Sequence, residues 1–156
     1  MTECIATLSR ADEMERVDEV FAEAVKRGIV LRGGLDVKWE LDLSGLSFPV
    51  ARAACRYIVK GARTVDKEKV SNVEELVMIT GVGRAHQNRT TASSSDPVPI
   101  QNESTSTSLR DYIQEVLDTD FEPSIPSAIP RLAKGTVVVR KEDLLSWAAN
   151  DGRLKQ

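Results

Sequence analysis

Three groups of residues in this 156-residue chain have types and spacings that can act on a phosphate. The first is Asp42 with Ser44, at the end of an alternating stretch: a carboxylate able to move a proton, ligate a metal or accept a hydrogen bond, beside a hydroxyl. The second is Thr80-Gly81-Val82-Gly83, followed by Arg84, His86 and Arg89 with no acidic residue until Asp96. Its two glycines let backbone N–H groups approach a phosphate without side-chain obstruction, and the arginines add charge. The plainer reading is a tight turn with surface arginines. The third group is Arg52, Arg56, Lys60 and Arg63, spaced four, four and three, so that the cations share one helix face. Such a row is either a solvated face or a track for a nucleic-acid backbone, which supplies affinity without sequence choice.

Phosphodiester cleavage needs an activated nucleophile and stabilisation of charge on the phosphate. Asp42 suits the first need, and Arg84 with the glycine-loop amides suits the second. His86 is the sole histidine, and one arrangement has it facing Ser44 and Asp42; the alternative is a surface histidine in a loop. Asp42, His86 and Ser44 formally offer a hydrolytic triad, but nothing resembles a nucleophile elbow. Two cysteines, Cys4 and Cys55, make at most one disulfide, and Cys55 reads as a small buried residue. A zinc site would have to gather both cysteines and His86 from distant segments, so no metal ligand set is expected. Aromatic residues are 4% of the chain, which favours backbone or shape recognition over stacking along a row of bases.

The elements that must position these groups are legible in the hydrophobic pattern. Residues 9 to 27 carry Met14, Val17, Phe21, Ala24 and Val25 at helical spacing, with Ser9 and Asp12 as a capping box and Gly28 as a stop. The opposite face, Glu13, Glu15, Asp18, Glu19 and Glu23, reads as solvated. Beyond Arg32-Gly33-Gly34, residues 37 to 43 alternate as a half-buried strand. Ser47 and Pro49 open a helix to about Gly61. Leu76 to Ile79 is a continuous apolar run, the pattern of a strand covered on both sides, and leads directly into the glycine loop. Ten Ser or Thr between positions 90 and 108 mark residues 84–106 as a long flexible loop. Ser108 caps a further helix bearing Leu109, Tyr112, Ile113, Val116 and Leu117. Pro123, Pro126 and Pro130 confine the next segment to an irregular or edge position. Thr136 to Val139 is a strand, and Lys141 to Ala149 a closing helix.

This alternation predicts an α/β fold, a two-layer sandwich with helices packed on a small mixed four-stranded sheet, plus an N-terminal helix. The length suits one domain, 37–151, with an N-terminal helical appendage at 1–36. The net charge of −3 excludes a generally polycationic binder, but it is uneven. Residues 1–47 hold 6 basic and 10 acidic side chains, 48–95 hold 8 and 4, and 96–156 hold 7 and 10. Contact with a polyanion is therefore expected in the middle, residues 52 to 89. No apolar run spans a bilayer and no secretory signal is visible, so a soluble intracellular protein without a membrane partner is expected.

Leu41-Asp42-Leu43-Ser44-Gly45-Leu46, then Ser47-Phe48-Pro49-Val50-Ala51-Arg52-Ala53-Ala54, Ile79-Thr80-Gly81-Val82-Gly83-Arg84, Ser108-Leu109-Arg110 and Gly135-Thr136-Val137-Val138-Val139 form an ordered set that resembles the Smr (small MutS-related) domain. The family's signatures are LDLHGL after the first strand and TGxG after the second. The resemblance covers roughly residues 38 to 150. It implies a fold similar to the C-terminal domain of bacterial translation initiation factor three and nucleic-acid binding, RNA favoured over DNA, with endonuclease activity in several members. The ribosome is a further implied partner. On that basis Thr80, Gly81, Gly83, Arg84, Arg89, Arg52, Arg56, Lys60 and Arg63 are candidate nucleic-acid contacts, and Asp42, Ser44 and His86 candidate catalytic residues. No cofactor is evident, and a divalent metal such as Mg at Asp42 is left open. Ser44 stands where the family has His, which removes a group able to move a proton near neutral pH. The alternative reading is thus a non-catalytic interaction module docking on a ribosome or a helical-repeat partner. Met14 to Val30 is also similar to the second helix of a pentatricopeptide repeat, which some plant organellar members join to this domain; a plain packing helix is the alternative, and cytoplasm, chloroplast and mitochondrion all stay open.

Overall fold

The computed structural model describes residues 1–30, 39–64, 74–81 and 108–155. The N-terminal segment is a pair of helices, α1 (Thr2–Arg10) and α2 (Met14–Lys26), where the periodicity from 9 to 27 predicts one. The break falls at Asp12, whose φ of 58° no α-helix tolerates. Ser9 consequently lies in the last turn of α1, and the expected capping box does not form; Glu13 is the residue before α2. Gly28 does stop α2. At φ 67° it donates to Val25 O at 2.9 Å, and Ile29 donates to Ala24 O at 3.0 Å, the paired bonds of a Schellman motif.

Strand β1 (Glu40–Asp42) leads into α3 (Phe48–Gly61), with Ser47 before the helix and Pro49 in its first turn. Strand β2 (Glu75–Ile79) lies parallel to β1, with Asp42 opposite Ile79. Leu76 and Met78 are fully buried while Val77 and Ile79 are half-buried, so β2 is covered more on one face than the unbroken apolar run implies. Helix α4 (Leu109–Thr119) starts at Ser108, whose side chain accepts a hydrogen bond from the Asp111 N–H at 3.2 Å. After β3 (Phe121–Glu122), β4 (Thr136–Arg140) pairs antiparallel with β2, and α5 (Lys141–Ala149) follows it directly.

Among the described residues the main sheet is three-stranded, ordered β1-β2-β4, rather than four-stranded; Ala128 adds a single bridge to Val138 on the β4 edge. The last strand, β5 (Arg153–Leu154), pairs with β3 in a separate ribbon beyond the expected boundary at 151. The class is α/β, with five helices and a small mixed sheet among the described residues. The predicted loop at 84–106 lies outside the described residues.

One hydrophobic core runs through the described elements. Ile5, Met14, Val17 and Phe21 of the helical pair belong to it together with Leu41, Leu43, Ile58, Met78, Ile113, Val139 and Leu144. The N-terminal pair is packed on α3 through this core, so its removal would uncover apolar surface at the centre of the molecule.

Candidate functional site

Parallel pairing of β1 and β2 sets their C-terminal ends side by side, the place where layered α/β folds usually bind ligands. Leu43 N–H donates to Ile79 O at 2.7 Å, which carries the register into the two loops. Leu46 N–H donates back to Leu43 O at 3.1 Å, closing a turn whose third residue, Gly45, has φ 80°. Gly81 has φ 77°, and a Cβ there would stand 3.4 Å from Ser44 Cβ. The LDLSGL and TG segments are therefore in direct apposition.

Asp42 and Ser44 form a local hydrogen-bonded unit. Asp42 Oδ1 accepts from the Ser44 N–H at 2.9 Å and from the Ser44 hydroxyl at 2.5 Å. These bonds, the side-chain one first, hold the Asp42 carboxyl below its ordinary range despite a small opposing effect of burial. Oδ2 has no hydrogen bond among the described residues. An anion of this kind is a good acceptor and a poor general base at neutral pH. Thr80 is buried, and both its N–H and its hydroxyl donate to Gly135 O, at 2.8 and 2.9 Å. Its side chain fixes the end of β2 against the start of β4 instead of offering a donor to a ligand. Gly83, Arg84, His86 and Arg89 lie outside the described residues.

The row on α3 differs from both expectations. Arg56 is 2% exposed, and Arg52 is a quarter exposed at its side chain, so neither belongs to a solvated face or a nucleic-acid track. Arg52 grips Asp120 with two bonds, Nε to Oδ2 at 2.7 Å and Nη2 to Oδ1 at 2.9 Å. Arg56 donates to both oxygens of Asp18 at 3.0 and 3.1 Å, to Asp120 Oδ2 at 3.1 Å and to Lys155 O at 3.2 Å. Lys60 reaches Asp18 at 3.3 Å, and the Arg63 guanidinium lies 4.9 Å from the centre of the Trp147 ring. Burial opposes the charge on Arg52 and Arg56, but their carboxylate partners outweigh it and keep both firmly protonated. Asp18, read as part of a solvated acidic face, is the α2 side of this network. Complementary rows on two amphipathic helices are a signal that they face each other, and the spacing of each row alone does not reveal it.

Further contacts join the elements that follow the two strands, and the sequence does not announce the pairs. Phe48, in the first turn of α3, stacks on Tyr112 of α4 with ring centroids 4.7 Å apart and planes 15° from parallel. Arg110 pairs with Asp111 and donates to Lys134 O at 3.3 Å, tying α4 to the loop before β4. An aromatic residue immediately before Pro49, at the mouth of a helix, is the trace these contacts leave in the sequence.

Among the described residues no cluster of three or more His, Cys, Asp or Glu is placed to hold a metal ion, and no helix is long and apolar enough to cross a membrane. No protein-family model, no curated protein and no solved structure matches this chain.

Proposed function

We propose that the chain is an Smr-like nucleic-acid-binding domain, RNA favoured over DNA, that contacts the phosphate backbone at the C-terminal ends of β1 and β2 and cleaves it with the help of Asp42. The observation carrying this reading is the apposition of two segments 37 residues apart in sequence, Ser44 against Gly81, with the Asp42 carboxylate beside them. In the sequence Arg84 follows three residues after Gly81. Asp42 is ionised at neutral pH, and its role is to orient or accept from an attacking water through Oδ2 rather than to hold a proton. A single carboxylate also fits the way Mg is commonly held, by one or two carboxylates together with substrate phosphate.

The test is cleavage of end-labelled single-stranded RNA by the purified protein and by Asp42→Ala. Product formed by the wild type and lost in the variant is expected; binding with no Asp42-dependent product leaves the second reading. That reading, a non-catalytic module docking on a ribosome or a helical-repeat partner, is favoured by Ser44 at the usual histidine position and by its hydroxyl being committed to Asp42. The helix preceding Met14–Lys26 agrees with a repeat-like helical pair at the N-terminus, as in pentatricopeptide-repeat proteins.

A further inference from the structure

With Arg52 and Arg56 taken up by carboxylates, the cations that face water at the strand ends lie elsewhere, in the loop before β4. Thr136 opens β4 opposite Ile79, and the N–H and hydroxyl of Thr80 both donate to Gly135 O, at 2.8 and 2.9 Å. The loop therefore ends beside Gly81, at the same end of the sheet as Asp42. Its course is fixed by two successive turns. Ala133 N–H donates to Pro130 O at 3.2 Å, and the Thr136 N–H and hydroxyl donate to Ala133 O at 3.0 and 2.8 Å. From α4, Arg110 adds a bond to Lys134 O at 3.3 Å. Arg131 and Lys134 stand exposed on this frame, and neither side chain has a partner among the described residues.

Two features set these cations apart from scattered surface charge. The backbone that carries them is tied down by the same contact, Thr80 to Gly135, that fixes the approach to the Gly81 turn, so the charges keep a set position relative to that turn. They also stand across β2 from the carboxylate: in the order β1-β2-β4, Asp42 is on one side and the loop on the other, with β1 and β4 about 10 Å apart at the usual strand spacing. A chain of phosphates crossing the strand ends spans that width. Arg110 contributes less, because Asp111 takes two of its donors at 2.8 and 2.9 Å. Leu132, between the two cations, is fully exposed, but it is a lone apolar side chain, and single exposed leucines need no partner.

We propose that the loop at 130–135 is a phosphate-binding arm of the strand-end site, with Arg131 and Lys134 each contacting a backbone phosphate of a nucleic-acid strand that crosses the ends of β1, β2 and β4. This rests on the nucleic-acid reading above and deepens it, because the contact expected within residues 52 to 89 extends to a loop outside that range. Contacts of this kind give affinity without sequence choice and release counterions, so they set the salt dependence of binding.

The experiment measures binding of a short labelled oligouridylate over a range of salt by wild type, Arg131→Gln with Lys134→Gln, Arg10→Gln with Lys26→Gln, and Leu132→Asn, each checked to melt at the wild-type temperature. The second pair removes the same charge from the N-terminal helices, and Leu132→Asn removes the apolar tip. Loss of Arg131 and Lys134 is expected to weaken binding on the order of tenfold and to lower the slope of log affinity against log salt by about 1.4, about 0.7 for each phosphate contact on a single strand. The Arg10 and Lys26 pair and Leu132→Asn are expected to stay within about twofold of wild type, with the slope unchanged. Wild type binding the RNA with the Arg131 and Lys134 pair equal to it in affinity and slope overturns the arm and leaves the nucleic-acid reading standing. Equal losses in the two charge pairs overturn the arm as well, because net charge alone then accounts for the effect. A loss in Leu132→Asn as large as that of the cations means that the loop docks on an apolar surface, and it too overturns the arm. Wild type binding no RNA overturns both.

Discussion

The α2–α3 seam and the strand-end site use the same kinds of side chain to opposite effect. At the seam, Asp18 and Asp120 are held by guanidinium groups, and charge is used up in joining elements: α2 to α3, α3 to the end of α4, and α3 to the Lys155 backbone. At the strand ends, among the described residues, Asp42 is bonded only to Ser44, two residues away, through one of its two oxygens. The lesson is that burial with a distant partner marks structural charge, whereas exposure with a local partner marks charge that remains available to a ligand.

Parallel Asp→Asn substitutions give the sharpest way to break this contrast. Asp120→Asn takes from Arg52 its carboxylate partner and from Arg56 one of two, Asp18 remaining, and is expected to cost about 3–5 kcal/mol in urea unfolding. Asp42→Asn is expected to change stability by less than about 1 kcal/mol, as exposed substitutions do, while abolishing any Asp42-dependent cleavage. Equal costs at the two positions would erase the distinction.

Glycine substitutions compare the two regions by backbone geometry. At Gly152, behind the seam, an added Cβ would stand 2.4 Å from the Trp147 ring, so Gly152→Ala is expected to destabilise by about 1–3 kcal/mol through overpacking. At Gly81 the neighbour, Ser44 Cβ, is an ordinary contact, and the cost comes from φ 77°: about 1–2 kcal/mol, with Gly81→Asn cheaper than Gly81→Ala. Thermal melts of the three variants measure both.

A smaller effect lies in the pH dependence of the Asp42–Ser44 unit. Its folded carboxyl sits below the unfolded value, so the unit's contribution is complete above the ordinary carboxylate range and is lost as pH falls through the folded value. The stability difference between wild type and Ser44→Ala is expected to be constant from neutral pH down to about pH 5 and to shrink in stronger acid. A difference that grows in acid would reverse the sign of the assignment.

Thiol labelling probes the seam without changing stability. Cys55 is fully buried, and burial, with the Asp120 carboxylate next, pushes its thiol up to about 12, whereas Cys4 is exposed. Native protein is expected to label at Cys4 alone, and Asp120→Asn to speed labelling of Cys55 by loosening the packing beside it.

Much of the fold was legible in the residues because it depends on local periodicity and caps. Phe48–Gly61, Leu109–Thr119 with its Ser108 cap, Thr136–Arg140 and Lys141–Ala149 follow from helical or strand spacing and a stop signal. The break between α1 and α2 was not legible, since Asp12 reads as readily as a capping residue as it does as one at positive φ. Nor was β5, because Arg153 and Leu154 become a strand only by meeting Phe121 and Glu122. At the site, the sequence offered Asp42, Ser44 and the Thr80-Gly81 turn as candidates, while Phe48 and Tyr112 become a pair only through helix packing.

The sequence by itself determined the α/β class, the order of the elements from α2 to α5 and two candidate loops, one at Asp42 and Ser44 and one opening at Thr80-Gly81. Only the tertiary structure decided which charges are free. Spacing states that Arg52, Arg56, Lys60 and Arg63 share a helix face, but whether that face meets water, a polyanion or another helix depends on which element packs over it. Here α2 and the Asp120 end of α4 do, because carboxylates set 38 and 64 residues from Arg56 satisfy buried guanidinium donors that would otherwise forbid the packing.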